Sequence, residues 1–217
     1  DRRPIDKCLA KCSLPNALLM IREKSLFCKL FYIKKSSKEL FQSYMDKYRP
    51  ELDTCPYCGA RGRCRIHGYY KRRIGEFRDG TVIWEKVSVM RVRCTGCGHT
   101  HAILPDIIIP YARHGILFIL RALASHFIHR LPIEKACEKY CVSRKQFFRW
   151  LSLWRWHKNL WLGMLHSRET GDGDFMKQLT EKADYSEFSA GFIRKFAFSF
   201  LQSHRNPADY CQQAFSP

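Results

Sequence analysis

The sequence predicts an α+β chain: a small β-hairpin domain, then a mostly α-helical region that ends in a helical tail. Three observations carry that reading. Between residues 55 and 104, Gly, Cys and β-forming residues replace helical spacing, and residues 65–74 and 81–93 form two β-rich runs. Arg78-Asp79-Gly80 separates the runs, and Asp-Gly accepts the positive φ angles that a tight hairpin demands. From Ala112 onward, apolar residues recur at helical spacing.

The elements follow in order. Residues 1–54 read as an N-terminal extension. Its first nineteen residues show little pattern, and Met20 is a candidate natural start. Residues 20–35 resemble a short strand or helix. Leu40, Phe41, Tyr44, Met45 and Tyr48 then make one apolar helical face, stopped by Pro50. In the hairpin domain, residues 55–104, strand alternation puts Val87, Val89, Arg91 and Arg93 on one face, with Ser88, Met90 and Val92 on the other. Residues 101–104 are a third strand, ended by Pro105. In residues 105–166, a helix spans 114–129, Pro132 suits the first turn of a second that ends near Tyr140, and Ser143 caps a third that runs to about His166. In the tail, residues 167–217, Gly171-Asp172-Gly173 reads as a linker with solvated acids, ahead of helices at 174–183 and 185–203.

Composition narrows the function. Of 217 residues, 46% are hydrophobic and 27% charged, which excludes wholesale disorder. Lys and Arg number 38 against 20 Asp and Glu, a net charge of +18. The surplus is +5 in residues 1–54, +7 in 55–104, +7 in 105–166 and −1 in 167–217. A polyanion partner should therefore meet the chain before residue 167, and nucleic acid is the commonest polyanion. The most apolar stretch, residues 107–128, is interrupted by Arg113, His114, Arg121 and His126, so no segment reads as a membrane span. No signal-peptide order opens the chain, and the expected place is the cytoplasm. Eleven cysteines there point to metal rather than disulfides.

The cysteines carry the sharpest motif. Cys55-Pro56-Tyr57-Cys58-Gly59 and Cys94-Thr95-Gly96-Cys97-Gly98 flank the hairpin. Each Cys-x-x-Cys-Gly unit makes a tight knuckle that aims two thiolates one way, and the Gly lets the chain turn back. Two knuckles supply the four sulfurs of a closed tetrahedral zinc site. The expectation is one structural zinc ion on Cys55, Cys58, Cys94 and Cys97, in a zinc ribbon. Cys64, His67, His99 and His101 stay open as substitute ligands. Cys8, Cys12, Cys28, Cys137, Cys141 and Cys211 lack paired knuckles and read as structural.

Residues 132–151 have the pattern of a helix-turn-helix. Small Ala136 and Cys137 allow close helix crossing, Val142 fills the turn, and Phe147 and Trp150 face inward. Ser143, Arg144, Lys145, Gln146, Phe148 and Arg149 then point outward. Arg and Gln suit guanine and adenine edges, and Ser and Lys suit phosphates. Cys141 stands in the turn where Gly is usual. Lys71, Arg72, Arg73, Arg91 and Arg93 on the hairpin are expected to track phosphates. Trp154, Trp156 and Trp161 need a cover, which the phenylalanine-rich tail can supply.

These motifs together resemble the N-terminal half of certain bacterial insertion-sequence transposases, and a family of short uncharacterised bacterial proteins with the same ribbon–helix arrangement. The matching residues are the two knuckles with Arg91-Val92-Arg93 before the second, Leu104-Pro105, and Val142-Ser143 through Arg149-Trp150-Leu151. The resemblance covers about residues 55–157. It implies binding to double-stranded DNA at the bacterial nucleoid; the departure is that no counterpart of the carboxylate-bearing catalytic domain of such transposases is recognisable among the 60 residues after 157. The expected function is a non-enzymatic, zinc-dependent, sequence-specific DNA-binding protein, an accessory or regulatory factor of a mobile element. A recombinase or transposase, a second copy of the chain, and RNA stay open as partners. The alternatives are a nuclease or recombinase with an unrecognised active site, and a zinc-ribbon adaptor that docks a protein.

Overall fold

A computed structural model describes residues 36–165, 170–182, 185–196 and 198–203. Expectations for residues 1–35 and for Cys211 lie outside the described residues.

Helix α1 (Ser37–Lys47) starts where its sequence dictates. The Ser36 Oγ accepts from the Glu39 amide at 3.1 Å, and Glu39 accepts from the Ser36 amide at 2.6 Å. This reciprocal capping box satisfies two amides that a helix start leaves without partners. Leu40, Phe41 and Met45 form the buried face, and Pro50 begins a 3-10 turn.

Strands β1 (Cys64–Arg78) and β2 (Thr81–Cys94) form the hairpin, and β3 (Thr100–Ala102) adds to β2 in an antiparallel sheet of order β1-β2-β3. Asp79 and Gly80, at φ +49° and +79°, make the tight turn the sequence foretold. A bulge interrupts the register between Ile66 and Gly68. Val87, Val89, Met90 and Val92 are buried, whereas Arg91 and Arg93 are exposed. Both faces of β2 are thus covered from Val87 to Met90, so sequence alternation does not translate into one wet and one dry face.

Glu76 is a buried carboxylate on β1 that accepts the Ser37 amide at 3.0 and 3.1 Å. Burial raises its pKa, although the Ser37 amide and Arg78 pull it down. It ties the start of α1 to the sheet. Glu76→Ala should lower stability by about 1.5 kcal/mol, the usual size for a hydrogen bond to a charged group. An unchanged urea midpoint would refute the tie.

The helical part is α2 (Ile116–Phe127), α3 (Ile133–Lys139), α4 (Arg144–Met164), α5 (Asp172–Lys177) and α6 (Tyr185–Phe196), with a π-helical turn at Gln178–Lys182. Ten of the twelve α2 residues are buried, so this helix is the centre of the core. Trp154 is wholly buried, with ring centroids 5.6, 5.4 and 5.6 Å from Phe127, Phe175 and Phe200. Trp161 packs on Phe188 and Phe192, and Trp156 on Phe198. The tail thereby covers the aromatic side of α4, as its sequence called for.

Two expectations for the tail are corrected. Asp172 and Gly173 are not a linker: they form the first turn of α5. Asp172 is not a solvated charge either. Its carboxylate accepts from Lys158 Nζ at 2.6 Å and from Trp154 Nε1 and Arg155 Nε at 3.2 Å each. The second tail helix stops at Phe196 rather than 203. The chain then turns back, and the Leu201 amide donates to buried His157 Nδ1 at 2.8 Å.

Candidate metal centre and nucleic-acid interface

The two knuckles are built alike. The Gly59 amide donates to the Cys55 carbonyl and the Gly98 amide to the Cys94 carbonyl, both at 2.9 Å. The Cys55 amide reaches Ala60 O and the Cys94 amide reaches His99 O, again at 2.9 Å. Gly59 and Gly98 lie at φ +72° and +77°, a region that an L side chain seldom enters. The hairpin register sets Cys64 opposite Cys94 and so returns the second knuckle to the first.

The four sulfurs of Cys55, Cys58, Cys94 and Cys97 lie within 4.8 Å of one another. Cys55 to Cys97 is 3.7 Å and Cys58 to Cys94 is 3.8 Å. A tetrahedron with metal–sulfur bonds of about 2.3 Å has edges of ~3.8 Å. The four-sulfur set therefore has the size and donors to bind a metal ion. The Cys94 thiol is pulled down to about 7: burial opposes this, but the amides of Cys97 and Gly96 donate to its sulfur, the latter at 3.3 Å.

The other candidate ligands fall beside this cluster. Cys64 is buried, and burial, then the Cys55 and Cys94 sulfurs, push its thiol up to about 11. His67 is exposed. His99 stacks on Tyr57 with centroids 3.5 Å apart. His101 Nε2 sits 3.4 Å from Cys55 Sγ, and burial, then His99, lower its pKa. Its ring nitrogen touches the Cys55 sulfur without joining the four-sulfur group, a relation that sequence spacing alone could not separate from ligation.

Helices α3 and α4 form the hairpin anticipated at residues 132–151. Ala136 and Cys137 are buried between them, and Tyr140 donates its hydroxyl to Arg121 O at 3.1 Å. Cys141 adopts φ +49°, the conformation that the usual Gly would supply, at a cost of about 1–2 kcal/mol for an L residue. Ser143 Oγ accepts from the Gln146 amide at 3.2 Å. Phe147 and Trp150 are buried; Ser143, Arg144, Lys145, Phe148 and Arg149 are exposed, and Gln146 is half-buried. Arg144 pairs with Glu134 at 3.0 Å, both largely exposed. Such a pair is worth about 1 kcal/mol or less, so a stronger anion can displace Glu134.

The five basic hairpin residues separate. Lys71 and Arg73 are exposed. Arg72 is half-buried and donates to Ile109 O at 2.6 Å and Ala112 O at 2.7 Å, which holds the loop before α2 against the sheet. Arg91 donates to Thr100 Oγ1 at 3.1 Å, and Arg93 to Gly98 O at 3.2 Å.

Fold and cluster together define an α+β chain whose four-cysteine hairpin is packed against a helical core. A family model described as a domain of unknown function (DUF6431) matches residues 55–145. That span opens at the first knuckle cysteine and closes two residues after Ser143. No curated protein and no solved structure matches the chain.

Among the described residues, no helix is long and apolar enough to cross a membrane.

Proposed function

We propose that the chain is a zinc-dependent, sequence-specific DNA-binding protein, with a non-enzymatic accessory or regulatory role at a mobile element. The observation that carries the reading is the start of α4. There Arg144, Lys145, Phe148 and Arg149 face water from a helix fixed by buried Phe147 and Trp150. Helix starts of this kind enter the major groove and reach base edges. The net charge of +18 favours a polyanion, and the motif resemblance to insertion-sequence transposases points to duplex DNA. Zinc is the metal best suited to four thiolates in a tetrahedron, and a closed set of four leaves no position for catalysis.

Selection of bound sites from random duplex DNA tests the reading, followed by Arg144→Ala and Gln146→Ala. Each variant should lose ~1–3 kcal/mol of discrimination at particular base pairs. Recovery of no preferred sequence, or binding that ignores salt, would overturn the reading.

A further inference from the structure

The ribbon has two sides, and its basic residues are divided between them. Residues paired across an antiparallel hairpin share a face, and neighbours along a strand alternate. Lys71 pairs with Ser88, Arg73 with Lys86, and Gly75 with Trp84, so these six positions make one continuous face. The intervening pairs, Arg72 with Val87, Ile74 with Glu85 and Glu76 with Ile83, make the other. The second face is turned to α1 and the loop before α2: Ile74, Glu76 and Val87 are buried and Arg72 reaches that loop, while the first face is covered at Gly75, which is buried against His114, and open at Lys71, Arg73 and Lys86. Arg91 and Arg93 lie at odd-numbered β2 positions, on the opposite side from Lys86 and Ser88.

The first face has the chemistry of a phosphate track. Lys71, Arg73 and Lys86 are all exposed, and the face has no carboxylate among its six positions. Both acidic residues of the strands, Glu76 and Glu85, belong to the other side, within 3.8 Å of Arg78. Arg73 is stacked over the ring of Trp84 at 5.7 Å, which holds its guanidinium in place. Trp84 in turn leans on His114 at 5.3 Å, and His114 on Trp150 of α4 at 5.2 Å. This aromatic chain seats the face next to the helix that begins at Arg144. Arg91 and Arg93, by contrast, are engaged with Thr100 and Gly98.

We infer that the Lys71–Arg73–Lys86 face of the ribbon binds the DNA phosphate backbone alongside α4, and that Arg91 and Arg93 on the opposite side do not. This rests on the DNA-binding reading above, whose ribbon contacts it narrows and to which it adds Lys86.

The test is binding to a fluorescent mixed-sequence duplex at several salt concentrations. Lys71→Gln, Arg73→Gln and Lys86→Gln should each weaken binding and lower the slope of log K against log salt by ~0.9. Arg91→Gln and Arg93→Gln should leave the slope at the wild-type value. All five substitutions are on exposed side chains, and a thermal melt of each variant confirms that it is folded. Equal slope losses in all five, or losses confined to Arg91 and Arg93, would overturn the face assignment and leave DNA binding standing. A wild-type chain without salt-dependent binding would overturn both.

Discussion

Cys94→Ser should abolish stoichiometric zinc binding and unfold the knuckle end of the ribbon. Cys94 is wholly buried, closes β2, and supplies a sulfur 3.8 Å from Cys58. A serine hydroxyl there is a poor replacement for a thiolate, and the other three sulfurs would be left without a full tetrahedron. In small zinc modules metal binding supplies ~10–16 kcal/mol of apparent folding free energy at neutral pH. That exceeds what the knuckles have otherwise, since Cys58, Gly59, Thr95 and Gly96 are exposed. A chelator should act likewise and release amides near residues 55–60 and 94–99 to hydrogen exchange before those of α2 and α4. Acidification should do so too, because thiols must lose their protons to bind the metal. Cys64→Ser is the control: Cys64 is equally buried but is no member of the four-sulfur group. Metal analysis and hydrogen exchange on the pair decide the matter. Full zinc in Cys94→Ser, or zinc lost equally in Cys64→Ser, refutes the assignment.

What could be read from the sequence was local. The knuckle glycines, the Asp79-Gly80 turn, the Ser143 cap and the inward Phe147 and Trp150 are each fixed by a few adjacent residues. Cys141 stands where a turn Gly is usual, and it takes the left-handed conformation of that Gly. The rest depends on partners far along the chain. Nothing within Tyr70-Lys71-Arg72-Arg73 tells that the middle arginine bonds Ile109 and Ala112 while its neighbours face water. The two ribbon faces were legible as alternation, but which one faces the core follows from where α1 and the loop before α2 are laid. The end of the last helix at Phe196 was hidden because residues 197–203 keep helical apolar spacing, whereas Phe198, Phe200 and Leu201 use it to fold back on α4. The role of Asp172 is hidden for a related reason. A Gly-Asp-Gly sequence reads as flexible until three donors from another helix arrive.

Those donors make Asp172→Asn the second large effect. Lys158 is only 8% exposed and Asp172 21%, and their atoms are 2.6 Å apart. Removing one partner of a buried pair strands the other charge, typically at ~3–5 kcal/mol. One-fifth exposure of the carboxylate and the Thr170 carbonyl at 2.9 Å, which stays with Lys158, place the expected loss near the lower end, at about 3 kcal/mol. The pair fastens the start of α5 to α4, so the loss should loosen Phe175 and Phe200 over Trp154. The pH dependence separates a charge effect from mere loss of packing. Burial raises the Asp172 pKa, but Lys158 and then Arg155 outweigh it and hold the carboxyl below its ordinary value. A group with a depressed folded pKa contributes its full stabilisation above the unfolded value of ~3.9 and loses it as pH falls through the folded one. The wild type should therefore exceed Asp172→Asn by a constant amount from neutral pH down to about 4, and the gap should close below that. Urea midpoints for both proteins from neutral to acidic pH measure it. A gap near zero at neutral pH, or one that persists unchanged in strong acid, would show that the carboxylate is not what holds the tail to α4.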